Sequence, residues 1–249
     1  NIKMFSYNEY KNIIKLVKSY LPIIDFARVT KKTKNYCVIR HDIEFSLDRA
    51  YKLALLESKL GVSSTYTVQL RNNTYNALSD KNLILIHKIE QLGHRIGLHI
   101  CPDMSSNKNK ITEEILQEID IFQNYCGFKI DRFAFHRPNL RPELLSWYLE
   151  IPGLINCNGE NYFHYFTSKP DELNVTYLSD SNHQWKSGHP IDLNFSKTKK
   201  LQINTHPFSW TEKGFKSYGN FLSLIKERNN EMLYDMSSEN KAFPKELLL

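Results

Sequence analysis

The sequence predicts an α/β fold, a (β/α)7 TIM-like barrel built by one domain over residues 1–249. Three observations carry this. About seven short strand-like runs recur along the chain, and most are followed by a segment of helical length. No linker, low-complexity tract or internal repeat divides the 249 residues. Neither a G-x-G-x-x-G nor a phosphate loop follows any strand, which argues against a dinucleotide-binding sheet. Seven strands suit a closed or partly closed barrel better than an open doubly wound sheet.

The elements follow in order. Residues 8–21, NEYKNIIKLVKSYL, set Ile13, Ile14, Val17 and Leu21 on one helical face. That helix and a basic loop, residues 1–34, precede the barrel. YCVIR (36–40) is the first strand, and RAYKLALLESKLG (49–61) is a helix closed by Gly61. STYTVQL (64–70) is β-branched and strand-like, and Ser79 can cap the helix DKNLILIHKIEQLG (80–93). RIGLHI (95–100) is the next strand, and TEEILQEIDIFQNYCG (112–127) the next helix, again ended by glycine. RFAFH (132–136) is a strand and PELLSWYLE (142–150) a helix. GLINCN (153–158), VTYLSD (175–180) and LQINTH (201–206) are three more strands. A long amphipathic helix around FKSYGNFLSLIKERNNEML (215–233) finishes the chain.

Composition sets the surroundings. Hydrophobic residues make up 41% and charged residues 24%, as in ordinary globular proteins. No apolar run is long enough for a transmembrane segment. The opening NIKMFSYNEYKN lacks the apolar core of a signal peptide. Cys37, Cys101, Cys126 and Cys157 show no C-x-x-C spacing, and Cys37 and Cys157 fall in strand-like runs where a thiol is buried and free. These points predict a reducing, cytoplasmic setting. The net charge of +6 comes partly from RVTKKTK (28–34) and KTKK (197–200), both in loops without interleaved aromatics. They read as solvated surface, and nucleic acid is not an expected partner.

The polar residues gather at strand ends. YCVIR runs straight into His41, Asp42 and Glu44; His99 ends the third strand, with Asp103 four residues on. His136 and Arg137 end the fourth, Asp180 the sixth and His206 the last. In a barrel of alternating strands and helices, all strand C-termini open onto one face, so these residues converge. Imidazoles and carboxylates are what zinc and similar metals accept, and a further carboxylate and histidine supply a base and an acid. This is equipment for metal-assisted hydrolysis. A serine triad is disfavoured, since no serine lies on a G-x-S-x-G elbow.

The stretches VIRHDIE, AYKLALLESKLGVSSTYTVQL, LGHRIGLH, FAFHRP, LSDSNHQW and LQINTHPFSW occur in that order between Tyr36 and Trp210. They resemble the ordered motifs of polysaccharide deacetylases, the NodB-homology group or carbohydrate esterase family four, in a divergent branch. GHRIGLH together with the late THP carries most of the likeness. The resemblance implies a distorted barrel of about seven strands. It further implies removal of an N-acyl group, usually acetyl, from an amino sugar of a polysaccharide or its precursor, such as a surface polysaccharide. A divalent metal would assist, Zn2+ above all, with Co2+ or Ni2+ as alternatives.

By that resemblance Asp42 is the catalytic base and Glu44, standing near the family's second aspartate, a metal ligand. His99 matches the first histidine of the H-x-x-x-H motif, whose second position is Asp103 here. Either Asp103 is an oxygen ligand or His136 takes its place. Arg137 lies in the segment of the arginine that orients the base. Asp180 and Trp185 fall in the substrate-groove motif, and His206 matches the histidine that acts as acid. Two other readings stand beside this one: a hydrolase of a small non-sugar amide, and a catalytically silent carbohydrate-binding protein.

Overall fold

A computed structural model describes residues 4–103, 105–164 and 174–248. Seven parallel strands form one sheet: β1 (Tyr36–Ile43), β2 (Thr65–Val68), β3 (Arg95–Ile100), β4 (Arg132–Phe135), β5 (Ile155–Asn156), β6 (Val175–Ser179) and β7 (Lys200–Thr205). Their order is β5-β4-β3-β2-β1-β7-β6. The helices are α1 (Tyr7–Tyr20), α2 (Leu47–Lys59), α3 (Asp80–Gln91), α4 (Lys108–Cys126), α5 (Glu143–Ser146) and α6 (Ser217–Glu239). Serine caps start three of them: Ser79, as the sequence implies, and also Ser6 and Ser46, each accepting from a backbone N–H three residues on.

The sheet curls. Val38 of β1, Ala134 of β4, Cys157 after β5 and Val175 of β6 pack in one buried cluster, although β2 and β3 separate β1 from β4 in the sheet. Gln202 of β7 reaches across the inside to donate to the carbonyls of Cys157 and Tyr162. β5 and β6 are the two edges, and among the described residues they share no ladder. The architecture is therefore a distorted (β/α)7 barrel, open at one seam. No helix among the described residues is long and apolar enough to cross a membrane.

Side-chain alternation decides what each strand shows to each face. On β1, Cys37, Ile39 and Ile43 enter the clusters under the outer helices, while Val38 faces inward and Arg40 and Asp42 share its parity. The charged end of the first strand-like run is thus still strand, and all eight residues of β1 are buried. Gly97 of β3 is needed for close packing: a Cβ there would meet Arg132 Cγ at 2.7 Å and the Arg132 carbonyl oxygen at 3.0 Å. Arg132 is fully buried and paired with Asp25 and Asp131, which closes the barrel floor.

Several expected elements differ in extent. The helix expected over 142–150 is a single turn, because Tyr148 adopts φ +42° and stops it. The strand expected over 153–158 is strand only at Ile155 and Asn156, with Leu154 in an isolated bridge to Ile151. The last helix runs on to Glu239.

Candidate active site

The parallel register brings the strand ends to one mouth. β1 pairs with β2 through Asp42 and Thr67, and β3 with β4 through His99 and Ala134. Glu44, just beyond β1, His99 of β3 and His136, just beyond β4, each offer one ligand atom, and these atoms lie within 4.8 Å of one another. His99 Nε2 stands 3.1 Å from His136 Nδ1, which stands 3.4 Å from Glu44 Oε1. Ligands about 2.0–2.1 Å from a tetrahedral metal lie about 3.3 Å apart, so the His99–His136 and His136–Glu44 separations match those around a zinc-type ion.

Protonation agrees with that fit. Burial pushes the His99 ring down to about 4, against the pull of Asp42, so the ring is neutral at pH 7 as a ligand must be. Burial tends to raise the Glu44 carboxyl, but a hydrogen bond from His136 and the charges of His206 and His99 hold it below its usual value. His99 Nδ1 is buried without a hydrogen-bond partner, 3.7 Å from Asp42 Oδ1.

Asp42 lies beneath this cluster. Its Oδ1 accepts from Arg40 Nε at 2.9 Å and Thr67 Oγ1 at 2.7 Å; its Oδ2 accepts from Arg40 Nη2 at 3.0 Å and Asn204 Nδ2 at 2.9 Å. Burial would raise its pKa, yet Arg40, with His99 and His206, holds it well below the usual carboxylate range. A carboxylate so saturated is a poor proton acceptor. It resembles instead the outer carboxylate that orients a metal-ligating histidine.

His206, just past β7, is held by Asp180. Its ring Nδ1 donates to Asp180 Oδ1 at 2.7 Å, its backbone N–H donates to the same oxygen, and Trp210 Nε1 donates to Oδ2 at 2.8 Å. Burial disfavours the charged ring, but the bond to Asp180 and the charges of Asp180, Glu44 and Asp42 raise it to about 9. His206 is therefore protonated at pH 7, with Nε2 3.8 Å from Glu44 Oε1.

Four expected site residues are placed differently. Asp103 lies on an exposed loop, its Oδ1 occupied by the Ser105 N–H and hydroxyl, outside the Glu44–His99–His136 cluster. The arginine that grips Asp42 is Arg40, whereas the exposed Arg137 guanidinium has no partner among the described residues. Arg137 takes φ +47°, a left-handed turn directly after His136. Asp180 is buried and engaged with His206, so it cannot meet a substrate directly. Trp185 packs beside Trp210 and His189 in the cluster under α1 rather than on the mouth. Arg40 is the residue missed as a partner; its spacing of two from Asp42 on a strand was the signal.

No family model and no curated protein matches this chain. Solved structures similar to it include a family 4 acetyl xylan esterase from Clostridium thermocellum in complex with a cobalt ion. The identity is 17% over 69% of this chain and 73% of that one, with a TM-score of 0.42. A chitin deacetylase from Colletotrichum lindemuthianum is 16% identical, covering 77% of this chain and 81% of its own, with a TM-score of 0.42. A CE4 family pseudoenzyme from Bacillus anthracis is 10% identical over 81% of this chain, which spans 63% of that protein, with a TM-score of 0.44.

Proposed function

We propose that this protein is a metal-dependent hydrolase that removes an N-acyl group, acetyl above all, from an amino sugar of a glycan or its precursor. The observation that carries the reading is the Glu44–His99–His136 cluster faced by a protonated His206. The sugar and the acyl group rest on the motif resemblance of LGHRIGLH and LQINTHPFSW to polysaccharide deacetylases.

Glu44, His99 and His136 would hold a divalent metal, which supplies Lewis-acid polarisation of a carbonyl and a water of lowered pKa. Asp42 stands 3.7 Å behind the His99 ring as a nearby negative charge, and Arg40 keeps Asp42 anionic. Of the three carboxylates only Glu44 reaches solvent, its side chain 20% exposed against 4% for Asp42 and 0% for Asp180. With Glu44 given to the metal and Asp42 saturated, the proton of an incoming water would pass to solvent at this open edge. His206, kept charged by Asp180, donates the proton that lets an amine leave. Arg137, exposed beside His136, is free to contact a substrate hydroxyl or carbonyl.

The test is release of acetate from N-acetylated amino sugars and their oligomers by protein reconstituted with zinc, cobalt or nickel, with ureides as the non-sugar comparison. A second reading, a glycan-binding protein without turnover, is favoured by the saturation of Asp42, which leaves the expected base unavailable. Glycan binding with no acetate release under every metal selects it.

A further inference from the structure

Helix α6 docks on the barrel by one face. Asn220 and Leu224 are its buried residues, and Arg49 of α2 anchors it through Asn220, Ser223 and Glu227. Roughly half a turn away lies a second line of side chains: Tyr218, Leu222, Ile225, Asn229, Met232 and Met236. All six are exposed, Tyr218 at 82%. Their steps of 4-3-4-3-4 keep them within about 40° of a common line on an α-helix. The outward face of a helix packed against a globular body is ordinarily polar. Here five of six positions are apolar, and the sixth is an asparagine.

We propose that this stripe is the interface of a homodimer, in which α6 pairs with α6 of a second copy, parallel and in register. The 4-3 spacing is that of helices that pack by interlocking side chains, and a single asparagine in such a seam fixes register. In register, the Asn229 amide meets its twin with a donor and an acceptor on each side. Charge selects the direction. Antiparallel pairing that keeps all six layers would set Lys226 against Lys226, and Arg228, which already bonds Glu231 and the Thr74 carbonyl, against Arg228. In parallel pairing the flanking positions bring Phe221 to Lys226 and Arg228 to Leu233, with no like charges opposed. The stripe is about 27 Å long. Pairing it removes on the order of 1,000 Å² from water over both copies, the lower limit of a specific interface. An interface of that size belongs with the weak, transient ones. The inference does not rest on the hydrolase reading.

Sedimentation velocity on the full chain, from about 1 to about 200 μM, reads the result directly. The expected outcome is a monomer–dimer equilibrium that Ile225→Glu shifts to monomer throughout, with its thermal unfolding at low concentration unchanged. A chain that stays monomeric over the whole range overturns the proposal, as does a dimer that Ile225→Glu leaves intact. Direction is read separately by Asn229→Cys in a Cys101→Ser background. A parallel pair places the two introduced thiols within disulfide reach, and mild oxidation gives a covalent dimer. A dimer that forms but does not cross-link there overturns the parallel register.

Discussion

Arg40 grips Asp42 from two residues upstream on the same strand, its Nε and Nη2 donating to opposite carboxylate oxygens at 2.9 and 3.0 Å. Both groups are buried, so each depends there on the other's opposite charge. The pair sits under His99, which makes β1 the support of the cluster at the barrel mouth.

Asp42→Asn should act on metal and fold together. Removing one charge leaves Arg40 buried without its counterion, at a cost of about 3 kcal/mol in denaturant unfolding. With the carboxylate behind His99 gone, zinc affinity in a chelator competition should fall by roughly 10- to 100-fold. If the variant keeps its zinc affinity and loses only kcat, Asp42 is the base after all.

Asp180→Asn should release His206. In metal-free protein the His206 ring, titrated by NMR, should fall from about 9 toward the ordinary histidine range, because the charge and hydrogen bond that raise it are removed. A raised histidine pKa means that the stabilisation from the charged ring is complete below about 6.5 and fades as pH rises through about 9. The Asp180–His206 coupling should therefore be large at pH 6 and small at pH 10. An unmoved His206 titration would contradict the pairing.

A second buried carboxylate carries a separate prediction. Glu57 of α2, on the outer side of the sheet, accepts from Tyr10 and Tyr66 hydroxyls at 2.6 and 2.8 Å, from Ser64, and bonds His41 at 2.9 Å, with His94 nearby. Burial raises its pKa, but His41 outweighs this and brings it down to about 2. A depressed carboxyl contributes stability above its unfolded value and loses it as pH falls toward the folded one. The stability difference between wild type and Glu57→Gln should be on the order of 3 kcal/mol at pH 6 and shrink between pH 4.5 and 2. A difference that does not change with pH rules out a charged Glu57.

Gly97→Ala tests the barrel floor. The added methyl meets the Arg132 stem and carbonyl well inside contact distance. The loss should be about 2 kcal/mol, seen as a lower thermal midpoint, with metal binding retained. A neutral substitution would mean that the interior yields there.

Much of this arrangement is legible in the residues, and the rest is hidden for definite reasons. Glu44, His99, His136, Asp180 and His206 all stand at or just beyond strand ends, where topology alone makes polar groups converge. Asp103 misleads because a spacing of four after His99 says nothing about where a loop turns; here it turns outward to Ser105. Arg40 reads as the end of a strand until period-two alternation is followed past it to Asp42. Glu57 is the hardest to see. A carboxylate on an amphipathic helix reads as solvated, and only the approach of Tyr10 from α1 and of Ser64 and Tyr66 from the β2 segment buries it. The short α5 ends at the backbone turn at Tyr148, which no periodicity reports.

The central claim is that Glu44, His99 and His136 form one metal site. It is tested most directly by zinc stoichiometry, measured by equilibrium dialysis and elemental analysis, in wild type, Glu44→Gln, His99→Ala, His136→Ala and Asp103→Asn. The account predicts one zinc per chain in wild type and in Asp103→Asn, and loss of zinc in the other three while each remains folded. Retention of zinc by His136→Ala together with its loss in Asp103→Asn would contradict it.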